Sequence, residues 1–318
     1  MKTEAIKYHN IRAERAGPRV LICAGVHGDE FEPVLAALEL IKTVKDMLET
    51  GEVDIVPVAN TSAYAQGSRC GADGLDMARI FPGDPAGSVT QQYAASVSEM
   101  IRAADYLIDM HTGGRLYDIY PLAGYMLHDS PQILEKQRKM AEAFNLPAIW
   151  GTDNRPVGRT LSVARDAGVP AIYVEYGGGG EVNATIIEAY VRGCMGVLAS
   201  LNMLANNDNA AALKKYRVED YTPDGGHLQS KLPAPKDGIF MPAVRVGEKI
   251  STGQLWGTIT DPLNGTSKEV RAGTEGLVLF LRVCAKVITG DSLGGILPVT
   301  GQEKLVTIQP PETVSYGK

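Results

Sequence analysis

The feature that most restricts this chain is the run at residues 19–25 (RVLICAG), which is almost uninterrupted by polar groups. A short continuous apolar run reads as a strand covered on both faces, of the kind found inside an α/β sheet. His27, Gly28, Asp29 and Glu30 follow it directly. Residues 33–48 then place Val34, Leu35, Leu38, Ile41, Val44 and Leu48 at helical spacing, with Pro33 suited to the first turn and Gly51 to the stop. Residues 53–58 return to strand character. Strand, helix and strand at this spacing predict a βαβ-type unit.

The pattern continues downstream. Residues 89–104 predict a helix leading into a strand at 106–110, and 131–145 predict another helix. A strand at 171–176 ends in four glycines, 177–180, and a long helix at 182–204 follows. Residues 60–88 are irregular and rich in Gly, Ala, Ser and Asp; such a stretch inside a compact domain is usually functional or disordered. After the polar run 206–209 the texture changes, and from Gly225 short β-rich segments alternate with Gly and Pro. Residues 249–259 (KISTGQLWGTI) resemble residues 286–296 (KVITGDSLGGI), which predicts a small pseudo-symmetric sandwich or barrel. The chain therefore divides into an α/β domain, 1–205, a linker, 206–224, and a smaller β-rich accessory domain, 225–318.

Composition removes several functional classes. With 44% hydrophobic and 21% charged residues among 318, the chain has the make-up of a soluble globular protein long enough for a full core. A net charge of −6 without a basic run leaves no electrostatic footprint for nucleic acid. No apolar stretch approaches the roughly 20 residues of a membrane span, and the N-terminus lacks the apolar region of a secretory signal. Cys23, Cys70, Cys194 and Cys284 are scattered with no CxxC, against a disulfide framework or a cysteine zinc site and in keeping with a reducing, cytoplasmic setting. The edges of a small β domain often pair, which leaves room for a homo-oligomer.

The chemistry concentrates after the buried strands. Of five histidines, His27 and His111 sit directly behind such strands, whereas His9, His128 and His227 have no comparable context and read as structural or surface residues. Functional groups in open α/β sheets gather at the carboxyl ends of strands. His27 and Glu30, three residues apart, follow the first strand, His111 follows the strand carrying Asp109, and Glu175 ends a third. Two imidazoles and one carboxylate are a standard ligand set for catalytic zinc, leaving one position for water. The ion lowers the water's pKa toward about 7, and Glu175 could move its proton. Each piece alone has a plainer reading: HGDE as a turn that caps a helix, Glu175 as a strand-end carboxylate paired to a lysine. Arg69 and Arg79 lie in the irregular segment, where a guanidinium can polarise a carbonyl, clamp a carboxylate, or simply form a surface ion pair.

At these positions the chain resembles the succinylglutamate desuccinylase/aspartoacylase family, a branch of the zinc carboxypeptidase-like hydrolases. The matching pieces run in order: Gly25, Val26, His27, Gly28, Asp29 and Glu30; Asn60; Gly67, Ser68 and Arg69; residues 76–83; Asp109, Met110, His111 and Thr112; Glu175, Tyr176 and Gly177. The resemblance implies a mixed central sheet with helices on both sides and one zinc ion per chain, held by His27, Glu30 and His111. It implies that Glu175 is the general acid/base, that Arg69 polarises the amide carbonyl, and that Arg79 binds a substrate carboxylate. Asn60 and Arg159 are further candidates for substrate binding. Ala78 stands where the family usually carries Asn, so one expected donor to the substrate is missing. The β-rich segment resembles the domain appended to bacterial members, similar in shape to biotinyl/lipoyl carriers, although Lys268 lacks the Met flanks of a carrier lysine. The implied activity is deacylation of an N-acyl amino acid, a small molecule bearing a carboxylate. The alternatives are a carboxypeptidase acting on a short or modified peptide, or a non-catalytic binding protein on the same fold.

Overall fold

A computed structural model describes residues 6–205, 213, 215–223, 225–226, 228–299 and 305–309. Its centre is a mixed sheet. Strands β1 (His9–Arg12), β2 (Arg15–Cys23), β3 (Thr50–Val56), β4 (Tyr106–His111), β5 (Tyr117–Met126), β6 (Ala148–Thr152), β7 (Ala171–Gly178) and β8 (Tyr216–Asp220) run in the spatial order β1-β3-β2-β4-β7-β5-β6-β8. β3, β2, β4 and β7 are parallel, β5 turns antiparallel to β7, and β1 is antiparallel to β3. The helices are α1 (Phe31–Met47), α2 (Thr61–Gln66), α3 (Val89–Ala103), α4 (Pro131–Phe144), α5 (Thr160–Ala167) and α6 (Ala184–Ser200). Among the described residues, no helix is long and apolar enough to cross a membrane.

Strand periodicity decides where the chemistry lies. Successive side chains point to opposite faces. Val20, Ile22, Ile108, Met110, Ile172 and Val174 pack with α1, α4 and α6. Leu21, Cys23, Leu107 and Ala171 pack on the other face with α3 and α5. By the same alternation, Asp109, His111, Tyr173 and Glu175 face the α5 side. Both faces are covered, which is why these strands read as continuous apolar runs.

The expected helices and strands at 19–25, 33–48, 53–58, 89–104, 106–110, 131–145, 171–176 and 182–204 all have counterparts, shifted at their ends by a few residues. Residues 60–88 hold only α2 and one 3-10 turn, Met77–Arg79. Tyr216–Asp220, inside the stretch expected as a linker, is instead strand β8, because Tyr216 and Val218 bury against Trp150 and Leu122. Residues 206–212, and His227, lie outside the described residues. His9 is exposed on the edge strand β1, and His128 accepts a hydrogen bond from the Ser130 N–H.

The C-terminal region is β-rich, with strands β9 (Gly238–Pro242), β10 (Lys249–Ile250), β11 (Leu255–Thr260), β12 (Ser267–Arg271), β13 (Gly276–Arg282), β14 (Lys286–Val287), β15 (Gly294–Leu297) and β16 (Leu305–Ile308). β9 pairs with β11 and β14, while β13 pairs with β15 and β10. Each half thus lends its short strand to the other, which is the pseudo-symmetry foreseen from the repeat. The β12-β11-β9-β14 sheet is separate, and no closed barrel forms among the described residues. β13 also pairs with β5 and β16 with β8, which ties this region to the central sheet.

Candidate metal centre and active site

Three loops bring the site together at the carboxyl ends of β2, β4 and β7. The segment after β2 is zipped to the segment after β3 by the Ala59 N–H to the Ala24 carbonyl and the Asn60 N–H to the Gly25 carbonyl, each 2.9 Å. Gly28 then lies so close to α2 that a Cβ would fall 2.0 Å from the Ala63 carbonyl, so only glycine permits the approach. Its N–H bonds the Ser68 carbonyl at 2.9 Å, which carries Arg69 toward His27.

The ligating atoms of His27, Glu30 and His111, all buried, lie within 4.8 Å of one another. Glu30 bridges the two rings. Its Oε1 is 2.7 Å from Nδ1 of His27 and its Oε2 is 3.1 Å from Nδ1 of His111. The far nitrogen of each ring meets a second carboxylate: Nε2 of His27 is 3.1 Å from Asp76 Oδ1, and Nε2 of His111 is 3.0 Å from Asp109 Oδ2. Asp109 in turn accepts a hydrogen bond from the Thr160 hydroxyl, and the Thr112 N–H reaches Glu30 Oε2 at 3.2 Å.

These contacts test whether the residues suit a metal ion, and they do. Nitrogen and oxygen donors in a 2:1 ratio match the preference of zinc. A ligating histidine normally donates its other ring N–H to a carboxylate, which fixes tautomer and orientation; here both rings are so held, leaving Nδ1 of each turned to the centre. Four carboxylates, Glu30, Asp76, Asp109 and Glu175, crowd one site, and among the described residues Arg69 is the guanidinium that pairs with them, with Arg79 acting from beside it. Burial alone would lower the pKa of each imidazole, yet Glu30 with Asp76 raises that of His27, and Asp109 with Glu30 raises that of His111. Burial works to raise Glu30 as well, and the two imidazoles hold it below the usual carboxylate range. The centre is built for additional positive charge.

Glu175 stands opposite His111 in the β4–β7 ladder, so the two side chains share a face about 4.8 Å apart at the backbone. Its Oε2 is buried without a partner. Burial, reinforced by Glu30 and opposed by the imidazoles and Arg69, pushes its pKa up to about 8. Arg69 donates from Nε to Asp76 Oδ2 at 2.9 Å, and its Nη1 comes within 3.9 Å of Glu30.

The loops that carry Arg79 and Arg159 also come together, because the Phe81 N–H bonds the Gly158 carbonyl. Burial lowers the Arg79 pKa and the charges of Arg69 and Arg159 lower it further. Among the described residues its guanidinium bonds only the Ala78 carbonyl, at 2.8 Å. Asn60 is fully buried and caps α2, accepting the Ala63 N–H at 3.0 Å, with its Nδ2 unpartnered. The structure thus brings His27, Glu30, His111, Glu175 and Arg69 to one place, sets Arg79 and Arg159 beside it, and commits Asn60 to a helix end. The ring-orienting roles of Asp76 and Asp109 were missed in the sequence; the signal for Asp109 was its position two residues before His111 on one strand face.

Residues 16–201 match the family model of the succinylglutamate desuccinylase/aspartoacylase catalytic domain. The chain belongs to the succinylglutamate desuccinylase/aspartoacylase family. It is 28% identical to N-alpha-acetyl-L-2,4-diaminobutyric acid deacetylase of Halomonas elongata over 289 residues, covering 89% of this chain and 83% of that protein. Its fold is similar to the product-bound ectoine utilization protein EutE (DoeB) of Ruegeria pomeroyi, with a TM-score of 0.82, 26% identity and coverage of 92% and 88% of the two chains. A metallo-carboxypeptidase from Burkholderia cenocepacia shares the fold alone, at 15% identity, a TM-score of 0.53 and coverage of 62% and 61%. The family membership and the mixed carboxypeptidase-like sheet expected from the motifs are both borne out.

Proposed function

We propose that the protein is a zinc-dependent amidohydrolase that converts an N-acyl amino acid into a carboxylate and a free amine. The observation that carries this reading is the convergence of His27, Glu30 and His111 within 4.8 Å, beside a glutamate with a buried, unpartnered oxygen. The names of its relatives support the substrate class: an N-acetylated diamino acid deacetylase and a product-bound protein of ectoine utilization. His27, Glu30 and His111 would hold one zinc ion, which when bound supplies Lewis acidity and lowers the pKa of water toward about 7.

The remaining roles fall to the chain's own groups. Arg79, with Arg159, draws in the substrate carboxylate. Arg69 faces the scissile carbonyl and stabilises the negative charge that develops on its oxygen. Glu175 takes a proton from the attacking water and returns it to the leaving nitrogen, so a C–O bond forms, the C–N bond breaks and the proton count balances. Its raised pKa suits a group that must both accept and donate near neutrality. Residues 1–205 carry the catalytic groups, and the β-rich region from 225 is an accessory that supports them. The four cysteines form no disulfide, in keeping with a cytoplasmic setting.

Metal analysis of the purified protein, followed by a panel of N-acyl amino acids and dipeptides, tests the proposal. One zinc per chain with release of the acyl group as a carboxylate is the expected result. Preferential cleavage of dipeptides would instead make the protein a carboxypeptidase, and zinc without any hydrolysis would make it a binding protein.

A further inference from the structure

Arg79 and Arg159 have no ion-pair partner among the described residues, and a phenol close to Glu175 stands open as well. Tyr173 lies two residues before Glu175 on β7 and on the same face. It stands opposite Asp109 on β4 and Gly124 on β5, one pleat below the row formed by His111, Glu175 and Leu122. The ring rests on the bare backbone of Gly124, where an added Cβ would fall 2.1 Å from its Cε1 and 2.5 Å from its hydroxyl oxygen. The phenol is therefore held in place by the fold, half-buried between two clusters of the core. Among the described residues its hydroxyl has no hydrogen-bond partner, and it is not one of the sealed polar atoms, so it is open to a ligand.

Its surroundings say what it would bind. Glu175 and Arg159 are the charged groups that act on it, and Arg159 also acts on Arg79. Neither arginine has a carboxylate within ion-pair distance among the described residues, and Ala78 beside Arg79 offers no side-chain donor. Burial and Glu175 raise the phenol's pKa, so it remains a neutral O–H donor. Resting on the deacylase reading above, we propose that Tyr173 is a specificity-determining residue whose hydroxyl donates the third hydrogen bond, after Arg79 and Arg159, to the carboxylate of the substrate.

Tyr173→Phe tests this, since it removes one oxygen and leaves the ring on Gly124. A hydrogen bond to a charged group is worth about tenfold to a hundredfold in affinity. The variant should raise KM for an N-acyl amino acid by that factor, with the change falling mainly on KM, and should alter KM for the matching carboxamide less than about twofold. Calorimetric binding of the N-acyl amino acid to the metal-loaded protein in a Glu175→Gln background, with and without Tyr173→Phe, gives the same comparison without turnover. Loss of binding in the variant, with no hydrolysis by the parent protein, would overturn the deacylase reading and keep the contact. Equal losses for acid and amide, equal binding by both proteins, or a loss confined to kcat would overturn the role of Tyr173.

Discussion

Two buried sites in this protein, one around a single carboxylate and one around four, serve opposite ends. In the first, Glu219 on β8 is almost fully enclosed, yet it accepts from Arg138 Nε and Nη2 at 2.7 Å each, from the Tyr125 hydroxyl at 2.7 Å and from the Tyr221 hydroxyl at 3.1 Å. Both its oxygens are satisfied. In the second, around His27 and His111, carboxylates outnumber fixed cations, and buried Asp109 Oδ1 and Glu175 Oε2 have no partner. Asp29 and Asn60, which flank that centre, contribute two more unpartnered atoms. An unsatisfied buried polar atom costs about 1–3 kcal/mol, and more when charged. Trp150 Nε1 and Ser292 Oγ are also open but stand singly, whereas four such atoms gather around His27 and His111, and it is this gathering that marks a place for something that binds. The contrast separates polar burial that stabilises from polar burial that acts.

Removing a donor from the open cluster should have the largest effect. His111→Ala is expected to abolish detectable turnover and reduce bound metal from one per chain to near none, measured by elemental analysis. Stoichiometric metal in that variant would place the ion elsewhere. Glu175→Gln comes next: kcat should fall about 10²–10⁴-fold, the usual contribution of general acid–base catalysis, with metal retained. Because the exchange removes a carboxyl group that is only partly satisfied, the variant should unfold at no lower denaturant concentration than the parent. Asp109→Asn keeps the shape but weakens the acceptor that orients His111, and should lower metal affinity about 10–100-fold in a chelator competition. An unchanged affinity would reduce Asp109 to a partner of Thr160 alone.

The same contrast shows how much of the molecule could be read from its residues. The parallel strands β2, β4 and β7 were legible because both faces are covered and the sequence is apolar throughout. β5 was not: its first half, with Asp118 and Pro121, is only half-buried and borrows β13 as a neighbour from far along the chain. β6 and β8 are short, and β8 acquires its meaning only from Trp150 beside it. At the site, His27, Glu30 and His111 followed from strand-end position and spacing. The carboxylates that orient them did not, since Asp76 reaches His27 across 49 residues through an irregular segment with little periodicity. Asn60 fitted the motif by order alone, and only the folded chain shows its oxygen committed to the N-terminus of α2.

The smallest effect on activity should come from the satisfied cluster, and it should appear in stability instead. Glu219→Gln keeps the size of the side chain but removes the charge that Arg138 and two phenols meet. Losing one charge-assisted bidentate pair should cost about 1.5–3 kcal/mol, seen as a lower urea midpoint at unchanged slope, while kcat per folded molecule stays the same. The pH dependence fixes the cause. Burial works to raise the Glu219 pKa, but Arg138 and Tyr125 hold it below the ordinary carboxylate value. Its contribution is therefore complete above the unfolded pKa of about 4.3 and is lost as pH falls through the lower folded value. Parent and variant should differ most near neutrality and converge in acid, where the parent's carboxyl becomes protonated and resembles the amide. A gap as wide in acid as at neutrality would mean that shape rather than charge holds the cluster, and the distinction between the two buried sites would then rest on the open one alone.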